Sequence, residues 1–162
     1  MPSGHMGRHS RARSPRLRGA VAAGLVGVGT LAAGQGQAVA GPGPVEGTPC
    51  TAEARACVDL AGKKAWLIDD GRVVRGPVAT SPGGPGHETP RGDFEVEWKN
   101  DKHRSKEFND APMPFAVFFA EGGIAFHEGN LQTPSAGCVR LAREDARAFY
   151  DFLQVGDTVQ VR

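Results

Sequence analysis

Apolar and polar positions fall into short alternating runs from about residue 64 onward. Trp66-Leu67-Ile68 and Val73-Val74 flank Asp70-Gly71. That dipeptide tolerates the positive φ angles of a tight turn, so the pattern predicts a β-hairpin. Phe94, Val96 and Trp98 alternate with Asp93, Glu95 and Glu97, as in a half-buried strand. Phe115 to Phe119 and Ile124 to Phe126 flank Glu121-Gly122-Gly123 and predict a second hairpin; Thr158 to Val161 reads as a closing strand. One helix is expected, because Ala146, Phe149, Tyr150 and Leu153 recur at i, i+3, i+4 and i+7 on one face, with Gly156 to end it. Ser81 to Gly86 reads as a loop. Asn100 to Asp110, charged and without periodicity, reads as a long exposed loop, and Trp66, Phe94, Trp98 and Phe126 as core residues. Short strands with one short helix predict a mainly β fold, sandwich-like or open-barrel-like, with the helix packed against it.

The N-terminus follows a different pattern. A basic stretch runs to Arg18, an uncharged apolar stretch of 15 residues follows from Gly19 to Ala33, and Ala38-Val39-Ala40 has the small-x-small form of a signal-peptidase site. A spanning helix needs about 20 strongly apolar residues, so residues 1–40 read as a signal peptide cut after Ala40. An uncleaved N-terminal anchor is the alternative. Residues 41–56 are then a Gly/Pro-rich linker and a disulfide-tied segment, and 57–162 the functional domain. The chain has 162 residues, with 23 Gly and 12 Pro, which suits one turn-rich domain.

Charge is divided the same way. Five arginines lie in the first 18 residues; from Gly41 onward the remaining 14 basic residues face 18 acidic ones, a net charge of −4. A mildly acidic domain argues against nucleic-acid binding, which needs a basic surface. No histidine or cysteine spacing resembles a metal-ligand set, so neither a metal nor a cofactor is expected.

Export implies an oxidising compartment, where cysteines pair if they can. Of the three, Cys50 and Cys57 lie close in sequence and are expected to form a disulfide; Cys138 is left over. It lies in Ser135-Ala136-Gly137-Cys138-Val139-Arg140, between a loop and the helix. Backbone N–H groups at such a junction can support a developing oxyanion, and Gly137 lets a substrate approach the chain closely. A free thiol is mostly protonated at neutral pH and needs a base. His127, at the end of the second hairpin, is the candidate. By spacing alone the pair is equally compatible with a structural histidine and a buried thiol. His87 and His103 read as solvated loop histidines.

The segment Ile124 to Leu141, I-A-F-H-E-G-N-L-Q-T-P-S-A-G-C-V-R-L, resembles the catalytic core of the L,D-transpeptidase family. Upstream, Thr89-Pro90-Arg91-Gly92-Asp93-Phe94-Glu95-Val96 is similar to that family's Thr-Pro-x-Gly-x-Phe-x-Val strand. The resemblance implies Cys138 as nucleophile and His127 as base, with the carbonyl of Glu128 orienting the imidazole. It implies backbone N–H groups of Gly137 and Cys138 as the oxyanion hole, Arg140 near a substrate carboxylate, and Ser135 as a buttress of the loop. The partners it implies are peptidoglycan stem peptides, with carbapenems as acylating agents of Cys138; separately, a monomer is expected. The outcome would be a 3→3 cross-link, or release of D-Ala to water.

One position departs from the family. Ala136 stands where the family has His, and a methyl group can neither hydrogen-bond nor relay a proton. Two readings follow: an active enzyme on the retained Cys138/His127 pair, or a cell-wall-binding module without catalysis. A cysteine peptidase of another fold is disfavoured because the histidine precedes the cysteine here.

Overall fold

The computed structural model describes residues 43–162; the expected leader, residues 1–40, lies outside them. Nine strands and one helix are present among the described residues: β1 (Ala56–Asp59), β2 (Lys64–Asp69), β3 (Arg72–Ser81), β4 (Gly92–Glu95), β5 (Trp98–Ser105), β6 (Ala111–Ala120), β7 (Ile124–Glu128), β8 (Val139–Leu141), α1 (Arg143–Phe152) and β9 (Thr158–Val161). The strands hydrogen-bond in the order β4-β9-β1-β2-β3-β8-β7-β6-β5. β3 is shared between two halves. Its residues from Arg72 to Ala79 pair with β2, while Thr80 and Ser81 pair with β8. Both halves then contribute to one core, the sandwich-like arrangement expected for a curled sheet.

Strand alternation sorts the side chains. On β1 and β2, Ala56, Val58, Ala65 and Leu67 enter the main core, while Cys57, Trp66 and Ile68 enter a second cluster with Val45, Cys50 and Ala54. On β6 and β7, Val117, Phe119 and Phe126 enter the main core beneath α1; Ala116, Phe118 and Ala125 face the other side, with Met113. Burial of both faces explains why the β6 run Phe115 to Ala120 is almost continuously apolar.

The predicted hairpins form for the reasons their turns suggest. Asp70 and Gly71 take φ values of 47° and 71° between β2 and β3, the paired positive angles of a two-residue turn. Gly122 and Gly123 (φ 77° and 73°) close β6 onto β7. α1 buries Ala146 and Phe149, and Glu144 and Asp145 in its first turn complement the helix dipole. It ends at Phe152 with Leu153 extended and buried, four residues before the expected stop at Gly156. Cys50 and Cys57 form the expected disulfide.

Three expectations are corrected. The alternation from Phe94 to Trp98 belongs to two strands, not one. The chain breaks at Val96-Glu97, where Val96 N–H donates to Asp157 O and Glu97 N–H to Phe118 O, so β4 pairs with β9 and β5 with β6. The charged segment from Asn100 is mostly strand; only residues 106–110 form a turn. β5 is an edge of the sheet, and charges blunt such an edge without leaving an apolar rhythm. The supposed linker also packs: Val45 is buried, and Pro44 bridges to Thr51.

Candidate active site

Two parallel neighbours in the sheet place the candidate side chains. β7 and β8 pair with Phe126 opposite Val139 and His127 opposite Arg140. Phe126 and Val139 both point into the main core. The residues that alternate with them, His127 on β7 and Cys138 just before β8, therefore share the opposite face. Both line a cleft of about 1010 Å³. Its floor includes Met113 and Phe118, and Cys138 packs against the cluster they form with Ala116 and Ala125. Ser135, Ala136, Glu128 and Arg140 also line the cleft.

His127 is buried, with Nδ1 2.7 Å from the carbonyl of Glu128. A carbonyl only accepts, so Nδ1 carries the proton and Nε2 keeps a free lone pair. Burial lowers the imidazole pKa to about 4, with the Glu128 carbonyl opposing the shift and the Arg140 and His103 charges adding to it. At neutral pH this side chain is an uncharged proton acceptor.

Cys138 is unpaired and partly buried. Its thiol lies 3.6 Å from the carbonyl of Gly123, as donor. Burial raises its pKa; a backbone hydrogen bond from Ala125 and the Arg140 charge pull the other way, and Glu107 adds to the rise. The resting pair is thus neutral thiol and neutral imidazole, and a proton has to move as the sulfur attacks.

The segment before the sulfur is cross-linked on both sides. The Ser135 hydroxyl donates to Cys138 O and accepts the Gly137 N–H at 3.0 Å. That engages one of the two donors expected for an oxyanion; the Cys138 N–H has no protein acceptor among the described residues. Gly137 adopts φ 122°, and a Cβ there would lie 2.5 Å from Ile124 Cδ1, so the position requires glycine. Arg140 extends over Gly129, and its guanidinium donates to Thr133 O (3.3 Å) and Pro134 O (3.4 Å).

Several cleft residues were assigned elsewhere from the sequence. His103 lies on β5, half-buried, edge-on to Trp98 and Phe118 at centroid distances of 5.4 and 5.0 Å. His87 also lines the cleft, from the loop after β3. Trp98, expected in the core, is 41% exposed and stacks on Phe118 at 3.7 Å. Lys106 and Glu107, from the charged segment, form part of the rim. The disulfide pair and Trp66 are in the second cluster and do not line the cleft. No group of His, Cys, Asp or Glu among the described residues is arranged to hold a metal ion.

The family model for the L,D-transpeptidase catalytic domain (YkuD) matches residues 53–161. Among solved structures, an L,D-transpeptidase from Stackebrandtia nassauensis is 30% identical with a TM-score of 0.62, over 66% of this chain and 54% of that one. One from Xylanimonas cellulosilytica is 27% identical with a TM-score of 0.63, over 71% and 63%. One from Mycobacterium smegmatis is 25% identical with a TM-score of 0.61, over 69% and 59%. The chain spans less than two thirds of each of these structures. No curated protein matches it. A match across the strands that carry the thiol, the imidazole and the Thr-Pro-x-Gly segment means that the chain belongs to the L,D-transpeptidase catalytic domain family.

Proposed function

We propose that this chain is an exported cysteine L,D-transpeptidase that acts on the tetrapeptide stems of peptidoglycan and forms 3→3 cross-links through a Cys138 thioester. The observation that carries the reading is an unpaired thiol sharing a cleft with a neutral imidazole whose other nitrogen is tied to Glu128 O. Family membership supports the choice of substrate class.

The donor stem offers the carbonyl that joins the L-centre of its third residue, a diamino acid, to D-Ala. As Sγ bonds to that carbon, His127 Nε2 takes the thiol proton and the Cys138 N–H faces the forming oxyanion. Collapse breaks the C–N bond, and His127 returns the proton to the departing D-Ala amine, leaving an acyl thioester. The side-chain amine of a second stem then attacks, His127 takes its proton, and the thiol is restored. Water in place of the amine gives an L,D-carboxypeptidase. The Arg140 guanidinium, on the cleft wall, is suited to a stem carboxylate. Residues 1–40 serve as the export signal, so N-terminal sequencing of exported protein should begin at Gly41.

The test is incubation with a purified tetrapeptide muropeptide and mass analysis, alongside a carbapenem. Loss of D-Ala with dimer formation, and a carbapenem adduct absent from Cys138→Ser, are expected. No turnover and no adduct in the wild type, with retained binding to isolated wall, would establish instead the non-catalytic module that Ala136 suggests. An intact Met1 on exported protein would remove the cleaved leader from the proposal.

A further inference from the structure

Thr89 is buried, and its hydroxyl sits between two backbone groups of fixed polarity. Gly83 N–H can only donate and lies 2.9 Å away; Gly137 O can only accept and lies 2.7 Å away. The single hydroxyl proton is therefore committed to Gly137 O. That oxygen belongs to the peptide unit whose other end is the Cys138 N–H. The unit is planar and trans, so its C=O and N–H point in opposite directions. Fixing one end aims the other. Gly137 at φ 122° lacks the steric restraint of a side chain, so the plane needs an external hold.

Further bonds surround this one without substituting for it. Ser135 N–H donates to Pro82 O, Gly84 N–H to Ser135 O, and the Ser81 hydroxyl to Thr133 O. They stitch the loop after β3 to the loop before Cys138. Among the described residues, Thr89 alone reaches the Gly137–Cys138 peptide by a side chain; Ser135 holds the peptide units on either side of it.

We infer that Thr89 is a positioning residue for the acyl-transfer step: through Gly137 O it holds the Cys138 N–H directed into the cleft, where the oxyanion of the tetrahedral intermediate forms. The inference rests on the transpeptidase reading and deepens it. Thr89 touches no reacting atom. Its effect is confined to reactions that pass through an oxyanion, whereas alkylation of the same sulfur by iodoacetamide forms none.

The experiment compares Thr89→Val, which keeps the shape and removes the hydroxyl, with Thr89→Ser, which keeps the hydroxyl. Carbapenem acylation and iodoacetamide alkylation of Cys138 are both followed by intact-protein mass spectrometry. Loss of a correctly placed donor costs about 10²–10³ in rate, so a misaimed one should cost about 10–100-fold. Expected is that fall in acylation for Thr89→Val, alkylation within about threefold of wild type, and recovery in Thr89→Ser. Equal losses in both reactions would make Thr89 a general support of the loop and overturn the inference, as would acylation within threefold of wild type. Thr89→Ala supplies a second hydroxyl-free variant; failure of both to fold would likewise make the role structural. Absence of acylation in the wild type itself overturns the enzyme reading and this inference together, and is distinguished by appearing before any substitution.

Discussion

Nδ1 of His127 lies 2.7 Å from the carbonyl oxygen of the next residue, Glu128. A side chain bonded to its own neighbour's backbone cannot rotate without breaking that bond, so the contact fixes both the ring orientation and the nitrogen left free. The imidazole is oriented locally, by one peptide, while the thiol arrives beside the neighbouring strand.

The first expectation concerns rate and pH. His127 titrates at about 4 because burial disfavours the imidazolium, against an ordinary value of about 6.5. It therefore stays available as a base well into acid. The acid limb of carbapenem acylation should bend near pH 4; a limb at pH 6.5 would mean an imidazole in contact with water. The raised Cys138 thiol should make alkylation by iodoacetamide climb on the alkaline side, without a plateau at neutral pH.

The same burial links folding to pH. Between 6.5 and 4 the unfolded chain binds a proton that the native histidine refuses, so stability falls as pH falls across that window. From pH 7 to pH 5 this one group should remove about 2 kcal/mol. Urea unfolding at the two pH values, for wild type and His127→Gln, isolates the contribution: the variant should lose less by about that amount. Parallel losses in the two proteins would refute the assignment.

Gly137→Ala should damage the cleft twice over. The added methyl meets Ile124 Cδ1 at 2.5 Å, and φ 122° is a region that alanine avoids. A destabilisation of about 1–3 kcal/mol is expected, with a larger proportional loss of acylation. Ile124→Ala in the same chain should relieve the clash but not the backbone strain. Melting temperature and adduct formation measure the two effects separately; wild-type adduct formation would show that the loop adapts.

Ala136 is exposed on the cleft wall, so Ala136→His should alter stability by less than about 0.5 kcal/mol. A hydrogen bond to a charged group contributes about 1.5–3 kcal/mol, so an imidazole that reaches the reacting acyl group should raise carbapenem acylation about tenfold. An unchanged rate would mean that the cleft already supplies that contact from another residue.

The disulfide supports the fold alone. Cys50 and Cys57 lie in the cluster with Trp66 and Ile68, none of which lines the cleft. Replacing both by alanine should cost about 2–3 kcal/mol in denaturant unfolding while acylation of the folded protein stays at the wild-type rate. A change in that rate would connect the second cluster to the site.

Much of this molecule was legible where one residue type dictates one backbone shape. Asp70-Gly71 and Glu121-Gly122-Gly123 announced their hairpins, and the apolar stripe of α1 its buried face. The spaced motifs around Cys138 and His127 pointed to the two side chains that share the cleft. β5 was not, because an edge strand beside a cleft carries Lys99, Asp101, Lys102 and Arg104 rather than an alternating apolar face. Trp98 misled for a related reason: its ring is half covered by Phe118, and a stacked exposed aromatic has the same sequence signature as a buried one. Thr89 stood in a recognisable motif, but its hydrogen bond to Gly137 spans 48 residues, and no local pattern encodes a contact at that range.

The parallel pairing of β7 with β8 has a consequence for variation. Sulfur and imidazole are carried on adjacent rows of one lattice, spaced about 4.8 Å apart by main-chain hydrogen bonds. The connection at Asn130–Gln132 sets neither depth nor facing. Insertions there can reshape what gains admission without pulling imidazole from sulfur, so the cleft mouth and the pair beneath it are free to diversify on separate schedules.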